Sequence, residues 1–416
     1  MAQTGLNRWI VVLSKKIVIA GAGIGGLCAA LALAKRGFDV AVYEQGIHFG
    51  EVGAGLQLSP NAMYVLQALG VADEVKAKAF SPASAVMRHY QTGKNYFTVP
   101  LGVTAAQKYG ADYLHIHRAD LHYALQHACE KLNVSIHLGQ TIQSYQHTSQ
   151  DIASHNLVIQ FKNNESLEAD VLIGADGIKS KVQSHMLGQI PAQFTGQVAW
   201  RGVIEANKLP KGLIKPNANL WVGPDKHFVS YYMRGGNLVN FVAVQERSDW
   251  QKESWSEPGD INELRDTFTG WHPEVTELLD ATKSCFLWAL FDRHPLSQWT
   301  DQNVALLGDA CHPMLPFLAQ GAAMAIEDSY VLAHCLASDN NIAAALKAYQ
   351  NIRLPRTRVI QLKARKNASL YHMSSPVEQV KLSVLSGLSS FGLSDRVAVN
   401  KLDSIYAYNI VKQLNS

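Results

Sequence analysis

The chain has 416 residues, 47% of them hydrophobic and 17% charged, and its 37 Lys and Arg against 34 Asp and Glu leave a net charge of +3. This composition excludes a disordered chain, and so small a charge gives no indication of nucleic acid or an acidic membrane surface as a partner. Residues 17–34, IVIAGAGIGGLCAALALA, are uncharged and lie between Lys15-Lys16 and Lys35-Arg36, a length that just reaches the minimum for a transmembrane helix.

The N-terminus and the cysteines favour a reducing cytoplasm as the location. Trp9–Leu13 supplies only five apolar residues and no small-residue cleavage site follows, so we expect no signal peptide. The five cysteines are odd in number and form neither a CxxC pair nor a zinc spacing with histidine. We therefore expect no disulfide framework and no metal site.

A strand, a glycine-rich turn and a helix follow one another at the start of the chain. Ile17–Ala20 predicts a buried strand, Leu27–Arg36 a helix, and Val40–Tyr43 a second strand that ends in Glu44. In the turn, a GxGxxG over Gly21–Gly26, the first glycine permits the tight bend, the second lets a pyrophosphate approach, and the third allows close helix–strand packing. Glu44 stands where a carboxylate accepts hydrogen bonds from a ribose. The pattern predicts a dinucleotide site and divides the uncharged run into pieces too short to span a bilayer.

The pattern becomes richer in strands along the middle of the chain. Residues 134–138, 157–161 and 170–174 are predicted as strands that return to the first sheet. Residues 78–107 and the hairpins of 188–290, with Gly235-Gly236 as one turn, predict a second sheet. The last 75 or so residues are predicted as amphipathic helices with a break at Leu354-Pro355. Their apolar faces would cover the first domain or build a dimer, and they carry Leu362, Leu370, Val377, Val380, Leu385, Leu388 and Phe391.

Two more motifs follow apolar strands. Ile173-Gly174-Ala-Asp176-Gly177 is by itself best explained as an ordinary Asp-Gly turn. Leu307-Gly308-Asp309-Ala-Cys-His-Pro313 is followed by Gln320-Gly321-Ala322, where a long helix to about Ala337 begins. The N-terminus of that helix is suited to negative charge, because its first N–H groups lack partners within the helix.

The order of these motifs, with the His117-Arg118-Ala-Asp-Leu121 segment between the first two, resembles the group A flavoprotein monooxygenases. These are single-component aromatic hydroxylases with the fold of para-hydroxybenzoate hydroxylase, and the resemblance covers about residues 15–355. In detail the chain is similar to the salicylate, 3-hydroxybenzoate and 6-hydroxynicotinate hydroxylase branch. The segments that recur there are 51–55 (EVGAG), 59–61 (SPN), 200–202 (WRG) and 319–321 (AQG).

The resemblance implies an α/β fold with a Rossmann-like FAD-binding domain of the GR2 type, interrupted by a mostly β substrate domain and followed by C-terminal helices. The FAD-binding domain would be discontinuous, over residues 1–77, 108–187 and 290–355. The substrate domain would take 78–107 and 188–289, and the C-terminal helical region 356–416.

The resemblance also implies FAD as cofactor and NADH or NADPH as a transient reductant, since no second glycine-rich unit is present. Arg118 would contact the FAD phosphates, although a surface arginine at a helix cap is an alternative. Asp309 would bind ribityl or ribose hydroxyls, Asp176-Gly177 would serve FAD and the nicotinamide cofactor, and Pro313 would lie beside the isoalloxazine ring. The remaining implied FAD residues are Gly21, Gly23, Ile24, Gly26, Glu44, Gln320, Gly321 and Ala322.

The family's chemistry implies what the substrate pocket needs. A flavin C4a-hydroperoxide, formed with O2, transfers an electrophilic OH, so the aromatic ring is activated by deprotonating its phenol. Histidine suits this task, and His227 matches an HxxxY element with Tyr231 on the same side of a strand. A structural histidine is the alternative, since the chain has 16.

Further residues bear on the substrate. The candidate cations for an acidic substrate are Arg201, Arg234 and Arg88. Arg201 is favoured among them, with a salt bridge in the sheet as its alternative role. Phe317 stands where related hydroxylases often carry His or Gln, so a second polar contact to the substrate is missing. A bulkier or less polar substrate is therefore an alternative.

The favoured function is hydroxylation of a small aromatic acid or phenol. The alternatives are a hydroxylase of a larger quinone-like or polycyclic aromatic and, in another class, a non-hydroxylating FAD oxidase or redox-sensing binding protein. The expected assembly is a monomer or homodimer.

Overall fold

The computed structural model describes residues 15–49, 55–148, 156–248, 257–373 and 393–416, with Val377, Val380–Leu382, Val384 and Gly387 between the last two ranges. The predictions for Trp9–Leu13, for the first four residues of the 51–55 segment and for Leu385, Leu388 and Phe391 lie outside the described residues.

A six-stranded sheet forms the first layer of the molecule. Its strands are parallel except at one edge, where the strand Thr300–Asp301 runs antiparallel to Val304–Leu306. The central strand is fully buried at Ile17, Val18 and Ile19, which is why its sequence is continuously apolar instead of alternating. In spatial order the strands are β18 (Thr300–Asp301), β19 (Val304–Leu306), β11 (Val171–Gly174), β1 (Lys16–Ala20), β2 (Asp39–Glu44) and β7 (Ser135–Leu138).

Helices cover this sheet and connect the layers. The first helix is buried almost all round because its small alanine side chains let it pack between the sheet and two other helices. None of the described helices combines the length and the apolar character that crossing a membrane requires. The helices are α1 (Ile24–Ala34), α2 (Pro60–Leu69), α3 (Ala72–Lys78), α4 (Gly102–Tyr109), α5 (Arg118–Lys131), α6 (Lys181–Leu187), α7 (Ile261–Thr267), α8 (Pro273–Asp280), α9 (Gly321–Ser338), α10 (Ile342–Tyr371), α11 (Leu393–Tyr406) and α12 (Ile410–Leu414).

Two small antiparallel sheets flank the first layer. One pairs β3 (Gly55–Leu58) with β6 (Leu114–His117), and the other has the order β10 (Ser166–Ala169), β9 (Leu157–Phe161), β8 (Ile142–His147). The prediction that residues 157–161 return to the first sheet is therefore wrong. The burial of β9 alternates, as in a strand with one face covered, and a strand of this kind pairs with its antiparallel neighbours.

The second layer is an eight-stranded sheet. One face packs against α7 and α8 through Trp200, Phe228 and Phe241, and the opposite face turns toward Phe317 and α10. Gly235 and Gly236 turn between two of its strands with φ of 63° and 98°, as the hairpin prediction requires. In spatial order the strands are β16 (Glu257–Gly259), β17 (Cys285–Asp292), β12 (Gln193–Glu205), β15 (Leu238–Glu246), β14 (Lys226–Met233), β13 (Ala218–Gly223), β4 (Ser84–His89) and β5 (Asn95–Pro100).

This architecture has the α/β class, the intervening β-rich layer and the C-terminal helices that the sequence predicts. We propose the predicted domain boundaries with one shift. The eight-stranded sheet takes its strands from residues 84–100 and 193–292, so the substrate domain would extend to Asp292, past the predicted end at 289.

The C-terminal helices differ from prediction at Pro355. The expected break at Leu354-Pro355 is wrong, since α10 runs through this position. A proline inside a helix removes one hydrogen bond, but Arg353 and Arg356 on either side form ion pairs with α9 that hold the helical path. Farther on, Ile405 and Ile410 are buried in the core of the first layer, whereas Val377 and Val380 are exposed.

Candidate active site

Three motif loops meet at the carboxyl edge of the first sheet. They are neighbours because β1, β11 and β19 are adjacent parallel strands. The Ala175 N–H donates to the Ala20 carbonyl at 2.8 Å, and the Leu307 N–H donates to the Gly174 carbonyl at 2.9 Å. The GxGxxG turn, the Asp-Gly turn and the Gly308-Asp309 loop therefore form one continuous rim, the position where open α/β sheets bind ligands.

The glycines of the first motif fit a bound pyrophosphate. A Cβ on Gly26 would lie 2.0 Å from the Gly21 carbonyl oxygen, and one on Gly21, whose φ is +97°, would lie 2.5 Å from the Ala175 oxygen. A Cβ on Gly23, by contrast, would meet no atom within 4 Å. Gly23 also caps α1, which begins at Ile24, without a side-chain hydrogen bond. Packing thus requires glycine at positions 21 and 26. Gly23 instead borders open space beside the free N–H groups at the start of α1, where a pyrophosphate would bind.

Glu44 lies at the end of β2, at the rim of this turn. Its carboxylate accepts hydrogen bonds from the N–H groups of Ala22 and Gly46, both at 2.8 Å. These bonds fix the carboxylate next to the first glycine loop. Its predicted contact with a ribose stays a prediction, which this placement supports.

Arg118 and Asp309 are both exposed, and their charges lie close enough to interact. Arg118 is the first residue of α5, is exposed, and has no ion-pair partner among the described residues. Burial of its carboxyl group by neighbouring atoms raises the pKa of Asp309 although the residue keeps solvent-exposed surface, and His312 and Arg118 oppose that shift. A guanidinium without a carboxylate partner among the described residues is suited to bind the FAD phosphates. This favours the predicted phosphate contact of Arg118 over its alternative role as a helix-cap arginine.

Asp176 organises its own loop. Its carboxylate accepts hydrogen bonds from Ser180 Oγ at 2.5 Å and from the Lys181 N–H at 2.7 Å, and so caps α6. A Cβ on Gly177, whose φ is +75°, would meet no atom within 4 Å. The open space at Gly177 and the capping carboxylate are compatible with a nucleotide passing over the loop, and the two predicted contacts stay predictions.

The loop before α9 is held by hydrogen bonds to the start of α2. Gln320 is 2% exposed, its Nε2 donates to Ser59 Oγ at 2.9 Å, and its Oε1 accepts from Asn61 Nδ2 at 3.0 Å. The SPN and AQG segments are therefore one hydrogen-bonded unit. Since the Gln320 side chain is used inside the protein, only the backbone of Gly321 and Ala322 remains to face a cofactor.

Behind this unit lies a cluster of buried charges, the buried ionic network, formed by Glu327, Asp328, Arg353, Arg356 and His312. Arg353 donates from Nη1 to Glu327 at 2.6 Å and from Nε to Asp328 at 2.7 Å, and all three side chains are fully buried. Arg356 pairs with Glu327 at 2.7 Å, and His312 lies 2.5 Å from Asp328. Burial alone would raise the pKa of Asp328, but His312 and Arg353 hold it below its ordinary value. The network ties the Gly308–Pro313 loop to α9 and α10.

His227 lies on the face of the second sheet that turns toward the first layer. It is 2% exposed, its Nδ1 is 2.7 Å from Nε2 of His372, and its ring packs edge-on against Phe317 and Tyr371 at centroid distances of 5.2 and 5.3 Å. Burial and the neighbouring His372 lower the pKa of His227 well below its ordinary value. A neutral imidazole of this kind is a proton acceptor. His372 and Tyr371 end α10, and no motif indicated them.

Tyr231 shares this face with His227, but the structure does not bring the two side chains together. Four residues of strand separate their Cα atoms by about 13 Å. The Tyr231 ring lies 4.4 Å from that of His115, and its hydroxyl would be 2.6 Å from a Cβ on Gly55. Burial lowers the pKa of His115 to about 3, so this second histidine, which the sequence analysis missed, is also neutral.

Arg201 is an unpaired cation on the same sheet face. Its guanidinium lies 4.2 Å over the ring of Trp288, its Nε has no hydrogen-bond partner, and no carboxylate pairs with it among the described residues. Burial lowers its pKa to about 10, so it still carries its charge at neutral pH. The predicted alternative of a salt bridge within the sheet finds no partner there. On the opposite face a Cβ on Gly202 would lie 2.4 Å from the Phe241 ring, which explains the glycine of the WRG segment.

Phe317 forms an apolar wall beside His227. It is 4% exposed in a short helical turn, Pro316–Leu318, and its carbonyl accepts a hydrogen bond from the Tyr371 hydroxyl at 3.1 Å. Pro313 is buried nearby, and its carbonyl accepts from Gln361 Nε2 at 2.7 Å. No polar dyad formed by His227 and residue 317 exists, as the phenylalanine predicts.

Comparison with known proteins places this site in a family. Residues 14–362 match the family model described as FAD binding domain. The chain belongs to this family. It is 36% identical to the 3-amino-4-hydroxybenzoate 2-monooxygenase of Streptomyces platensis, over 88% of this chain and 90% of that one. It is 35% identical to the 3-hydroxybenzoate 6-hydroxylase of Polaromonas naphthalenivorans (strain CJ2), over 95% and 96% of the two chains.

A solved structure has the same fold as this chain. A salicylate hydroxylase in complex with its substrate superposes with a TM-score of 0.81 at 25% identity, over 97% of each chain. These comparisons confirm the predicted relationship to the flavoprotein monooxygenases, the fold class and FAD as the cofactor. The roles of the individual site residues stay predictions.

Proposed function

We propose that the protein hydroxylates a small aromatic acid with a ring hydroxyl, using O2 and NADH or NADPH. The observation that carries this substrate class is Arg201, a partly buried guanidinium without a counter-ion among the described residues, on the same sheet face as the neutral base His227. A carboxylate would neutralise the first group and a phenol would donate to the second. The names of the three relatives above support this class, since each refers to a hydroxybenzoate.

The chain's own residues have distinct tasks in this proposal. The glycine turn, Arg118 and Asp309 hold FAD, which supplies the reduction of O2 and the transfer of one oxygen atom when bound. Arg201 binds the substrate carboxylate and so orients the ring. His227 accepts the phenol proton at Nε2, which makes the ring electron-rich, and Phe317 excludes water from that imidazole.

The proposal is tested with His227→Ala and Arg201→Gln in the FAD-loaded enzyme. NAD(P)H oxidation, product and H2O2 are measured with 3-hydroxybenzoate, salicylate, benzoate and phenol. We expect His227→Ala to retain FAD and to lower kcat about 10²- to 10⁴-fold, the usual contribution of a general base. Coupled hydroxylation that survives this change intact would contradict the role of His227.

Arg201→Gln tests the carboxylate site separately. A charged hydrogen bond contributes about 1.5–3 kcal/mol, so KM for the acids should rise about 10- to 150-fold while that for phenol stays the same. Arg88→Gln is the matched control, since Arg88 also lies over a tryptophan ring, Trp221, but is paired with Glu274 at 2.8 Å. An equal rise in KM for phenol and the acids would refute carboxylate binding by Arg201.

Phe317 favours one second candidate, a larger and less polar quinone-like or polycyclic substrate. Its ring gives His227 an apolar neighbour in place of a hydrogen-bonding one. Such an aromatic would accelerate NAD(P)H oxidation with product formation where all four small probes do not. Stimulation by no aromatic, with H2O2 as the only product, would instead indicate a non-hydroxylating oxidase.

We also propose a cytoplasmic location and a monomeric or homodimeric assembly. The five cysteines are unpaired and buried, which supports a reducing compartment. Gel filtration of the FAD-loaded protein gives the assembly directly.

A further inference from the structure

His227 is the inner end of a chain of three hydrogen-bonding side chains that leads to the protein surface. Its Nδ1 lies 2.7 Å from Nε2 of His372, and Nδ1 of His372 lies 2.9 Å from Oε1 of Glu246. The His372 side chain is fully buried, whereas that of Glu246 is 38% exposed. The path therefore begins beside the proposed phenol site and ends in water.

The partners determine which ring nitrogens carry protons. An ionised Glu246 only accepts hydrogen bonds, so Nδ1 of His372 carries a proton and donates it. Nε2 of His372 is then an acceptor, which requires a proton on Nδ1 of His227. This leaves the lone pair of His227 on Nε2, away from the chain. The carboxylate at the surface thus sets the buried imidazole in the tautomer that accepts a proton.

Several groups around His372 reduce the cost of a transient positive charge on its buried ring. It caps the C-terminal end of α10, a helix of 30 residues, where the helix dipole stabilises cations. Burial lowers the pKa of His372, and Glu246 and Asp225, from two neighbouring segments, oppose that shift in part. The Gln197 amide nitrogen from β12, a donor, also faces Nδ1 but at 3.4 Å, so the nearer Glu246 carboxylate, at 2.9 Å, determines that Nδ1 carries the proton. The groups that face His227 itself are His372, Phe317 and Tyr371.

We propose that His372 and Glu246 are positioning and proton-transfer residues that carry the phenol proton from His227 to solvent. The inference rests on the proposed function of His227. In the step, the phenol O–H bond breaks and an H–Nε2 bond forms on His227. The Nδ1 proton of His227 passes to Nε2 of His372, and the Nδ1 proton of His372 passes to the Glu246 carboxylate. Glu246 then releases one proton to water, and the phenolate stays in the site.

The test uses Glu246→Gln and His372→Gln in the FAD-loaded enzyme, with 3-hydroxybenzoate and salicylate as probes. Both variants keep a hydrogen-bonding side chain of similar shape but cannot relay a proton in this way. Proton release on mixing is followed with a pH indicator, and kcat and KM are measured from pH 6 to 9. Glu205→Gln is the matched control, an exposed glutamate at the end of β12 in the same sheet.

We expect each variant to slow proton release and kcat at least tenfold, with KM within twofold and FAD content unchanged. The double variant should lose no more than one single variant, since both changes interrupt one path. The relay would be overturned if both variants had kcat and proton-release rates within twofold of those of Glu205→Gln. It would also be overturned if the fold-loss of the double variant equalled the product of the two single losses.

The outcome for His227→Ala separates this inference from the proposed function. If His227→Ala abolishes hydroxylation while Glu246→Gln retains full rates, the base is correct and the relay is wrong. If His227→Ala is fully active, the proposed function of His227 fails and the relay fails with it. Should His372→Gln not retain FAD, Glu246→Gln at the half-exposed end decides by itself.

Discussion

Arg353→Met perturbs the buried ionic network at its centre. The variant leaves Arg356 on Glu327, but Asp328 loses its guanidinium and keeps His312 and the Gly308 N–H at 3.3 Å. Breaking a buried ion pair by removing one partner costs about 3–5 kcal/mol, and the partial compensation by His312 places the expected loss near 3 kcal/mol. An unfolding entropy of about 2.1 cal/mol/K per residue amounts to roughly 0.9 kcal/mol/K for this chain, so Tm should fall by about 3 °C.

The loss should also depend on pH, with a sign that the structure determines. The pKa of Asp328 is lowered in the folded state, so its contribution to the free energy of unfolding is present above the ordinary carboxyl pKa of about 4. That contribution is lost as the pH falls through the folded value. The difference between the natural protein and Arg353→Met is therefore largest at neutral pH and shrinks in acid.

Thermal unfolding followed by far-ultraviolet circular dichroism measures both effects, at one saturating FAD concentration because bound FAD raises Tm. Lys208→Met is the control, since it breaks an exposed ion pair with Glu205 and should change Tm by less than about 1 °C. A Tm of Arg353→Met equal to that of the control, or a difference that grows in acid, would refute the stabilising role of the network.

Three other outcomes are expected. Gly23→Ala should keep the Tm of the FAD-free protein but weaken FAD binding about tenfold or more in a flavin fluorescence titration, whereas Gly26→Ala should fail to fold stably, since its methyl would lie 2.0 Å from the Gly21 oxygen. Equal effects of the two changes would contradict the assignment of the glycines. Because burial keeps the pKa of His227 below 6.5, kcat/KM should show no protonation of this group between pH 7.5 and 6.5, and a midpoint in that range that His227→Ala removes would contradict it. Phe317→Ala should raise the H2O2 formed per NAD(P)H consumed, because His227 loses its apolar cover, and an unchanged yield would show that the ring does not exclude water.

The fold errors have a common physical cause. The apolar alternation of residues 157–161 identifies a strand but not its partners, because pairing is decided by segments far away in the chain. Pro355 usually ends a helix, yet here ion pairs from Arg353 and Arg356 to α9 hold it inside one. Both outcomes depend on long-range contacts that local patterns do not contain.

The residues of the candidate site also fall into two groups, those that could be predicted and those that could not. His227, Arg201 and Phe317 follow from the resemblance, and the structure adds that Arg201 lacks a counter-ion among the described residues while Phe317 packs directly on His227. His372 and Glu246 carry no motif of their own. They meet only because the end of α10 packs against the second sheet.

The uncharged run of residues 17–34 shows what the amino-acid sequence determined by itself. It is a strand, a turn and an 11-residue helix. Gly26 is required by a contact within the turn itself, with the Gly21 oxygen, whereas Gly21 also packs against Ala175 from a distant part of the chain. The spacing of these residues in the local sequence was enough to predict a dinucleotide site, and the resemblance to a known family then implied FAD. The proton path joins residues 145 and 126 positions apart, and the buried ionic network joins helices through charges that are stable only when all partners are enclosed together. Those features were decided by the tertiary structure, because desolvation and hydrogen bonding between distant residues arise only when the chain has folded.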